Sequence, residues 1–298
     1  MITHVTLLDV ETYEDEAISI TPRDVQFDWD DLPLHYIEGQ PIATHITNVM
    51  HITLPEGERA MVQALSDALP LVKDDRLRDE MIGFIGQEEI HSTSHEDLHD
   101  HLDRQGLDTG PIVRKLEWLV DRAFNRPNLK GRARHAWLCE RLALSAALEH
   151  YTAVMGQWVL DADALDGAVH PVMLDLIRWH GAEEVEHRNV AFDAYMYVDG
   201  GYFRRARTGV MASFLLLGIF AWATAHLYRN DHTRGEQRFW LFQLVDGIRR
   251  GLIPSGAHFF TEIPTYLRRD FHPSQMGPLD KALRYLAKSP AAQAAAAH

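Results

Sequence analysis

The sequence predicts an all-α protein whose core is a four-helix bundle. Most of the chain repeats apolar residues with the spacing of amphipathic helices. Proline and glycine stand where these helical segments start and end, and patterns typical of strands are nearly absent. With 298 residues, the chain is long enough to bury a site well away from water.

The predicted elements follow one another along the chain. Residues 1 to about 35 mix β-branched and acidic residues with two prolines, which predicts an irregular N-terminal arm with one or two short strands. The bundle is expected over about residues 55–200, because prolines suit a first helical turn and stop a helix later on. Its helices are predicted from near Pro55 to before Pro70, over about 75–105, from Pro111 to near Pro127, over about 132–160 and from Pro171 to about 197.

Additional C-terminal helices are predicted over about residues 203–290. Their approximate ranges are 203–228, 234–250, 256–269 and from 279 onward, and the Ala-rich tail at 291–297 is predicted to fray. Residues 36–298 would then form a single helical domain that follows an arm of residues 1–35.

One segment, residues 210–227, is apolar enough to be compared with a membrane span. It has 18 residues, the low edge for such a span, and arginines flank it on both sides. Ser213, Thr224 and His226 interrupt it, which favours a buried core helix or a subunit contact over a membrane-embedded helix. A homodimer contact and a membrane contact both remain open for this segment.

The composition excludes several classes of function. A net charge of −14 repels phosphate backbones, so no nucleic acid is expected as a partner. One cysteine, Cys139, rules out a disulfide framework and sites that need several thiolates. Residues 1–6 lack the basic and apolar stretches of a signal peptide, so a cytoplasmic location is expected, with membrane association left open. The 18 histidines of this acidic chain instead favour metal sites made of carboxylates and imidazoles.

Two Glu-x-x-His motifs carry the hypothesis of a metal site. Glu88 and His91 form the first motif, and Glu184 and His187 form the second. Residues three apart lie on one face of a helix, so a carboxylate and an imidazole with this spacing can bind the same ion. Such a motif also arises by chance in a chain with 43 acidic residues and 18 histidines.

Two glutamates on the preceding helices strengthen the hypothesis. Glu58 lies 30 residues before Glu88, and Glu149 lies 35 residues before Glu184. Each gap accommodates half a helix, a turn and half a helix at about 1.5 Å per residue. The order Glu, Glu-x-x-His, Glu, Glu-x-x-His is that of ferritin-like di-metal bundles, in which two helices give one Glu each and two give the motif.

Some neighbouring residues are alternatives to these candidate ligands. Glu56 is an alternative to Glu58, and Glu183 is an alternative to Glu184, although depth in the helix favours Glu58 and the three-residue spacing favours Glu184. A salt bridge to an arginine is the alternative role for Glu149, whose apolar surroundings otherwise call for a cation. His150 points away from the helix face that carries Glu149 and is expected to contact the ligands or to lie in the core.

Further histidines extend the two ligand faces. His180 is one turn before Glu184, and His95 is one turn after His91, with His99 one turn further along. His180 and His95 are therefore candidate additional ligands, or else hydrogen-bond partners of ligands, which metal sites also need.

The ligand types narrow the choice of metal. Four carboxylates with two or three imidazoles and no thiolate favour a pair of iron ions, with manganese and zinc as alternatives. Carboxylates that bridge two ions hold them about 3.5–4 Å apart.

The segments around these ligands resemble a bacterial family labelled predicted metal-dependent hydrolase. The similar segments are residues 55–59, 84–91, 149–153 and 179–188, and the resemblance covers about residues 35–270. Residues 183–187 are also similar to the second motif of soluble acyl-carrier-protein desaturases. The spacing of His180, Glu184 and His187 is similar to that in di-iron N-oxygenases that oxidise arylamines, which implies that His180 is an additional ligand. Neither pattern includes His95.

Three functions follow as hypotheses. The first is activation of O₂ by two irons to oxidise an apolar or aromatic small molecule, with an electron donor as partner; Tyr151, Trp137, Trp158 and Trp179 are candidates to line its pocket. The second is hydrolysis by a hydroxide held on two metal ions, although the sequence has no glycine-rich anion loop. The third is a metal-binding bundle without catalysis.

Overall fold

The structure, a computed structural model, describes residues 19–126, 128–233 and 239–297, and within them it confirms the all-α prediction. No strand occurs in this part of the chain, where an isolated bridge joins Ile37 to Val169. The strands predicted for the N-terminal arm are thus not found at residues 19–35, and residues 1–18 of that arm lie outside the described part. Residues 234–238, the start of the helix predicted at 234–250, also lie outside it. The helices are α1 (Pro41–Ala68), α2 (Asp75–Arg104), α3 (Gly110–Phe124), α4 (Gly131–Asp161), α5 (Pro171–His187), α6 (Val190–Val198), α7 (Tyr202–Asn230), α8 (Trp240–Arg249), α9 (Gly256–Tyr266), α10 (Asp280–Leu286) and α11 (Pro290–Ala296).

Four long helices, α1, α2, α4 and α5, form the central bundle. α1 packs against α2 and α4, and α5 packs against α4 and α2. Two clusters of buried apolar side chains lie along these helices. Ile52 and Leu98 belong to one cluster, whereas Met61 and Phe84 belong to the other. Residues between these positions on α1 and α2 therefore lie midway along the bundle, with apolar side chains on both sides.

α1 begins earlier than predicted. Pro41, and not Pro55, occupies the first turn of this helix, and Pro55 lies inside it. A proline inside a helix removes one backbone hydrogen bond. The helix continues across Pro55 because buried residues on both sides hold it in the bundle. The longer helix brings His45 and His51 into the bundle as well.

One predicted helix is interrupted. The helix predicted from residue 171 to about 197 is divided at Arg188 and Asn189, which separate α5 from α6. The Arg188 guanidinium donates to the carbonyl oxygens of Met276 and Gly277 at 2.8 and 2.9 Å, and these bonds anchor the interruption to the C-terminal segment. The predicted ranges of α2 and α4 agree with the structure within one residue at each end.

The Ala-rich tail forms α11 and is not frayed as predicted. Asp175 on α5 accepts hydrogen bonds from Ser289 Oγ at 2.8 Å and from the Ala291 N–H at 3.0 Å. Ser289 in turn accepts a hydrogen bond from the Ala292 N–H at 3.3 Å and so caps the helix. Alanine favours the helix once its start is fixed in this way.

α4 and α5 approach each other closely at Gly156 and Gly181. A Cβ atom at Gly156 would lie 2.3 Å from the Gly181 carbonyl oxygen, and one at Gly181 would lie 2.9 Å from the Gly156 Cα atom. Neither position has room for a side chain. The two glycines therefore set the spacing of the helices that carry Glu149 and Glu184.

α7 contains the apolar segment 210–227 and lies at the surface. Only 22% of its most apolar window is buried, so the expectation of a buried core helix is wrong for this segment. The polar residues that suggested a core position, Ser213 and Thr224, face the protein interior, while Phe214 and Trp222 face outward. By length and composition alone α7 could cross a membrane.

Asp231, directly after α7, ties this helix to the N-terminal part of the chain. His35 and His45 donate from Nε2 to Asp231 Oδ2 at 2.6 and 2.9 Å, and the Thr233 N–H donates to Oδ1 at 2.8 Å. Although burial alone would raise it, these hydrogen bonds hold the pKa of Asp231 well below its usual range. The hydrogen bonds from His35 and His45 to Asp231 thus hold the end of α7 next to the start of α1.

Candidate metal centre

Seven side chains from four helices converge midway along the bundle. All seven are at most 5% exposed, and they are Glu58 from α1, Glu88 and His91 from α2, Glu149 from α4, and His180, Glu184 and His187 from α5. We refer to them as the metal cluster. It brings together every residue of the ligand order predicted from the sequence, with His180 in addition.

One half of the metal cluster is formed by Glu88, Glu149, Glu184 and His187. Each offers one ligand atom, and these atoms all lie within 4.8 Å of one another. His187 Nε2 is 3.2 Å from Glu88 Oε1 and 3.2 Å from Glu149 Oε1, and it is 3.6 Å from Glu184 Oε2. Ligand atoms that each lie about 2.0–2.2 Å from one ion stand about 3 Å apart, so these separations suit a shared ion.

The other half contains Glu58, Glu88 and His91, with His180 and Glu184 beside them. His91 Nδ1 is 3.8 Å from Glu88 Oε2 and 3.5 Å from Glu184 Oε1. His180 Nε2 is 2.6 Å from Glu184 Oε1 and 3.8 Å from Glu58 Oε1. Glu88 and Glu184 thus belong to both halves, as bridging carboxylates do in a two-metal site.

Many polar atoms of the metal cluster are buried without a hydrogen-bond partner. Native proteins pair nearly all such atoms, because an unpaired buried polar group costs free energy. Metal ions among these atoms would bind them and offset the charge of the buried carboxylates, so the residues present fit a metal centre. The unpaired atoms are both carboxylate oxygens of Glu58, Glu88 and Glu149, one oxygen of Glu184, His91 Nδ1 and His187 Nε2.

The carboxylates of the cluster repel one another. Burial, reinforced by Glu184, raises the pKa of Glu149 to about 8. Burial together with Glu88 raises the pKa of Glu58 well above its usual range. Burial acts the same way on Glu184, but contact with His180 outweighs it and holds the pKa of Glu184 well below its usual value. Protons therefore compete with metal ions for these side chains.

Hydrogen bonds outside the cluster orient two of its imidazoles. His91 Nε2 lies 2.9 Å from Glu183 Oε2, which leaves Nδ1 directed at the cluster. His187 donates from Nδ1 to Gln87 Oε1 at 2.9 Å, which leaves Nε2 directed at the cluster. Such partners fix the tautomer and the ring orientation of a metal-binding histidine.

Arg23 holds these orienting groups in place. Its guanidinium donates to Glu183 Oε1 at 2.6 Å and to both oxygens of Glu186 at 2.9 Å. Trp179 Nε1 donates to the same oxygen of Glu183 at 3.2 Å, and Gln87 Nε2 donates to Glu186 at 2.8 Å. The sequence analysis did not identify Arg23, because it lies 160 residues from Glu183 in a segment predicted to be irregular.

Three histidines form a row that leads into the cluster. His95 Nε2 is 2.5 Å from His180 Nδ1, and His95 Nδ1 is 3.0 Å from His51 Nδ1. Both ring nitrogens of His95 thus have histidine neighbours. Its Nε2 is also 3.9 Å from Glu58 Oε1, and Glu58, His95 and His180 have ligand atoms within 4.8 Å of one another, so His95 stays a candidate ligand. His51 was not among the predicted residues, because its helix was predicted to begin after it.

The residues that the sequence left as alternatives lie outside the metal cluster. They contact groups of the surrounding structure, and Glu183 also forms a hydrogen bond with His91 of the cluster. Glu183 faces Arg23, Glu56 pairs with Arg59, His99 contacts Thr109, and His150 packs beside Tyr266 and Phe271.

An apolar cavity of about 270 Å³ adjoins the metal cluster. Glu58, His180 and Glu184 form part of its wall, and apolar residues of α1, α3, α4, α7 and α9 form most of the rest. A second apolar cavity of about 500 Å³ lies beside the first, and the two share lining residues such as Ile177 and Phe220. The metal cluster therefore has a space next to it that suits a small apolar molecule.

Of the four aromatic residues predicted to line a pocket, two line the cavities and two do not. Tyr151 lines the cavity next to the cluster, where its hydroxyl bonds to Ser213, and Trp158 lines the second cavity. Trp179 is fully buried against Glu183. Trp137 packs against an arginine and is not among the residues that line either cavity.

Comparison with known proteins agrees with a metal centre. Residues 21–277 match the model of a family described as predicted metal-dependent hydrolase. No curated protein and no solved structure matches the chain. The match spans most of the chain and includes the whole metal cluster, whose buried histidines and glutamates suit metal dependence. The chain therefore belongs to the predicted metal-dependent hydrolase family.

Proposed function

We propose that the chain binds two metal ions in the metal cluster and uses them with O₂ to oxidise an apolar small molecule. The observation that carries the two-ion proposal is the division of the ligands into two halves that share Glu88 and Glu184. In this arrangement Glu58 and His91 hold one ion, with His180 as a further ligand. Glu149 and His187 hold the other ion.

The ligand set favours iron in this site. Carboxylates and imidazoles without thiolates suit Fe(II) and Mn(II), with zinc as a further candidate. When bound, two reduced irons supply electrons for the activation of O₂, and a separate electron donor is needed to reduce them again. The chain's own residues orient the ligands through Glu183 and Gln87 and surround the site with apolar side chains that exclude water.

The cavity beside the cluster favours an apolar substrate. Among its described lining residues there is no lysine or arginine. Its threonine hydroxyls bond to carbonyl oxygens of their own helices, and Tyr151 and Ser213 bond to each other. A molecule in this cavity would therefore be recognised by its apolar surface and by contact with the metal centre.

Hydrolysis is the second candidate, and the family description agrees with it better than with oxidation. Zinc or manganese ions in the same cluster would activate water for attack on an ester or amide. The ions themselves would stabilise the developing negative charge of that reaction, so the choice depends on which substrate the cavity can bind. Its described wall has no lysine or arginine, and its hydroxyls are already engaged, so it suits an apolar molecule better than an ester or amide, which is why we favour oxidation.

Loading the protein with different metals distinguishes between the candidate functions. Protein loaded anaerobically with Fe(II) is expected to bind about two ions per chain, as in other bundles with this ligand order, and to develop a charge-transfer absorption band after exposure to O₂. Hydrolysis of an aryl ester by the zinc-loaded or manganese-loaded protein, together with no O₂ reaction of the iron form, would support the hydrolase. Metal binding with neither reaction would leave a metal-binding bundle without catalysis.

A further inference from the structure

α7, α8 and α9 together expose many large apolar side chains. Phe214 on α7 is 64% exposed, and Phe242 on α8 is 66% exposed. Single exposed apolar residues are ordinary, but a group of this size marks a surface that contacts something other than water. We call the group the aromatic surface; it comprises Met211, Phe214, Leu215, Trp222, Phe239, Trp240, Leu241, Phe242, Val245 and Phe260.

On α7 and α8 several polar side chains face inward while large apolar side chains face outward. α8 buries Gln243 and exposes Phe242 beside it. α7 buries Ser213 and Thr224 and exposes Phe214. A helix on the surface of a soluble protein turns its polar face outward. The outward faces of α7 and α8 are therefore matched to apolar surroundings.

Arginines accompany the aromatic surface in a chain that is otherwise acidic. Residues 202–250 contain eight arginines and no lysine against three acidic residues, a net charge of +5 in a chain of net charge −14; of these arginines Arg205 is buried, and Arg204 pairs with Glu140 and Asp199. Arg229 and Arg249 are exposed, and so are Arg207 and Arg250, which also pair with acidic neighbours. Aromatic residues next to exposed arginines are typical of helices that lie on anionic lipid.

This charge favours a lipid surface over a second copy of the chain. A twofold dimer through the aromatic surface would bring the same positive segment of two chains together, where like charges repel. Anionic lipid headgroups carry the opposite charge, and the hydrocarbon beneath them accommodates apolar side chains. α7 also packs along α1, α4 and α9, so the chain would lie on the membrane and not cross it.

Both cavities reach the aromatic surface. Leu215 lines the cavity beside the metal cluster and Trp240 lines the second cavity, and both side chains are partly exposed to the outside. We propose that the aromatic surface binds the surface of an anionic membrane and that the apolar substrate enters the cavities from the lipid. The entry of substrate rests on the proposed function, whereas membrane binding does not.

Sedimentation with lipid vesicles tests this proposal on the full chain. We expect binding to vesicles of phosphatidylcholine mixed with phosphatidylglycerol. The double variant Phe214→Asp with Phe242→Asp should bind at least about tenfold more weakly, because two buried apolar contacts are replaced by charges that the anionic lipid repels. Arg229→Gln with Arg249→Gln should weaken binding by roughly fivefold for each arginine removed.

Two controls separate membrane binding from other effects. Ile82→Asp changes an apolar residue of α2 that is 53% exposed and lies outside the aromatic surface, and it should leave vesicle binding unchanged. Glu184→Ala, which is expected to lose metal, should still bind vesicles, so a failure of the metal proposal is seen separately. Absence of vesicle binding by the unmodified chain would overturn the proposal. A dimer in light scattering that Phe242→Asp dissociates, without vesicle binding, would assign the surface to a second copy instead.

Discussion

His91 and Glu183 are joined by a hydrogen bond of 2.9 Å between His91 Nε2 and Glu183 Oε2. The bond turns the other ring nitrogen of His91 toward the metal cluster. Arg23 holds the opposite oxygen of Glu183 at 2.6 Å. Two successive contacts therefore connect the segment before α1 to His91, a candidate metal ligand, so part of the predicted irregular arm helps to position the metal cluster.

Replacing Glu183 by glutamine should weaken metal binding by about tenfold to a hundredfold, although Glu183 is not a ligand. Glutamine keeps the shape of the side chain but loses the charge that makes the His91 ring a stronger donor to a metal. Competition with a coloured chelator measures the affinity. Glu89→Gln, at an exposed position on the same helix as His91, is the matched control and should bind as tightly as the unmodified chain. Equal affinity of the two variants would remove the supporting role given to Glu183.

Glu149→Ala and Glu184→Ala should each remove most of the bound metal, because each takes a carboxylate out of the half that contains His187. Glu89→Ala should not, since Glu89 is exposed on the other side of α2. Elemental analysis after loading and desalting gives the metal content, and circular dichroism shows that each variant is folded. The same metal loss in Glu89→Ala would mean that the assigned helix faces are wrong.

Above about pH 6.5 the metal-free protein should lose stability as the pH rises to about 8, whereas at lower pH buried histidines whose pKa burial lowers, such as His51 and His150, act in the opposite sense. Burial raises the pKa of Glu149 from 4.5 to about 8, so over this range the folded chain keeps a proton that the unfolded chain has released. The stabilisation is complete below pH 4.5 and is lost as the pH passes 8. The raised pKa of Glu58 acts with the same sign.

Urea denaturation at a series of pH values measures this dependence. Each pKa unit corresponds to about 1.4 kcal/mol, so Glu149 should account for a decrease of roughly 2 kcal/mol between pH 6.5 and pH 8, and Glu149→Gln should flatten it. The metal-loaded protein should instead gain stability over the same range, because fewer protons compete with the ions. Equal stability of the metal-free protein at pH 6.5 and pH 8 would contradict the rise in the pKa of Glu149 that burial and the neighbouring Glu184 cause.

Gly156→Ala should destabilise the protein by about 1–3 kcal/mol and reduce its metal content. The added methyl group would lie 2.3 Å from the Gly181 carbonyl oxygen and push α4 away from α5. Gly57→Ala on α1 is the control, because a Cβ atom there meets nothing within 4 Å. It should be neutral or stabilise by up to about 1 kcal/mol. Denaturant midpoints compare the two, and similar effects in both would count against the close contact.

The residues of the metal cluster could be predicted from the sequence because helical geometry places them on shared faces. A glutamate and a histidine three residues apart must share a helix face, whatever the rest of the chain does. Glu149 was identifiable because apolar neighbours surround it. The structure places these residues in one cluster. The helix of the first motif has both ends close to those predicted, whereas the helix of the second motif begins as predicted and ends at His187, earlier than predicted.

What the sequence could not predict depends on contacts between distant residues. Pro55 looks locally like a helix start, and only the burial of both flanks keeps α1 continuous across it. Arg23 meets Glu183 across 160 residues, a contact that no local pattern indicates. Composition identified the apolar segment of α7 but did not tell which of its faces packs against the bundle.

Diffraction at the iron absorption edge, from crystals of the Fe(II)-loaded protein, tests the central claim most directly. We predict two anomalous peaks about 3.5–4 Å apart, one beside Glu58 and His91 and the other beside Glu149 and His187. A single peak in the bundle, or peaks only at places away from these four side chains, would contradict the two-metal centre.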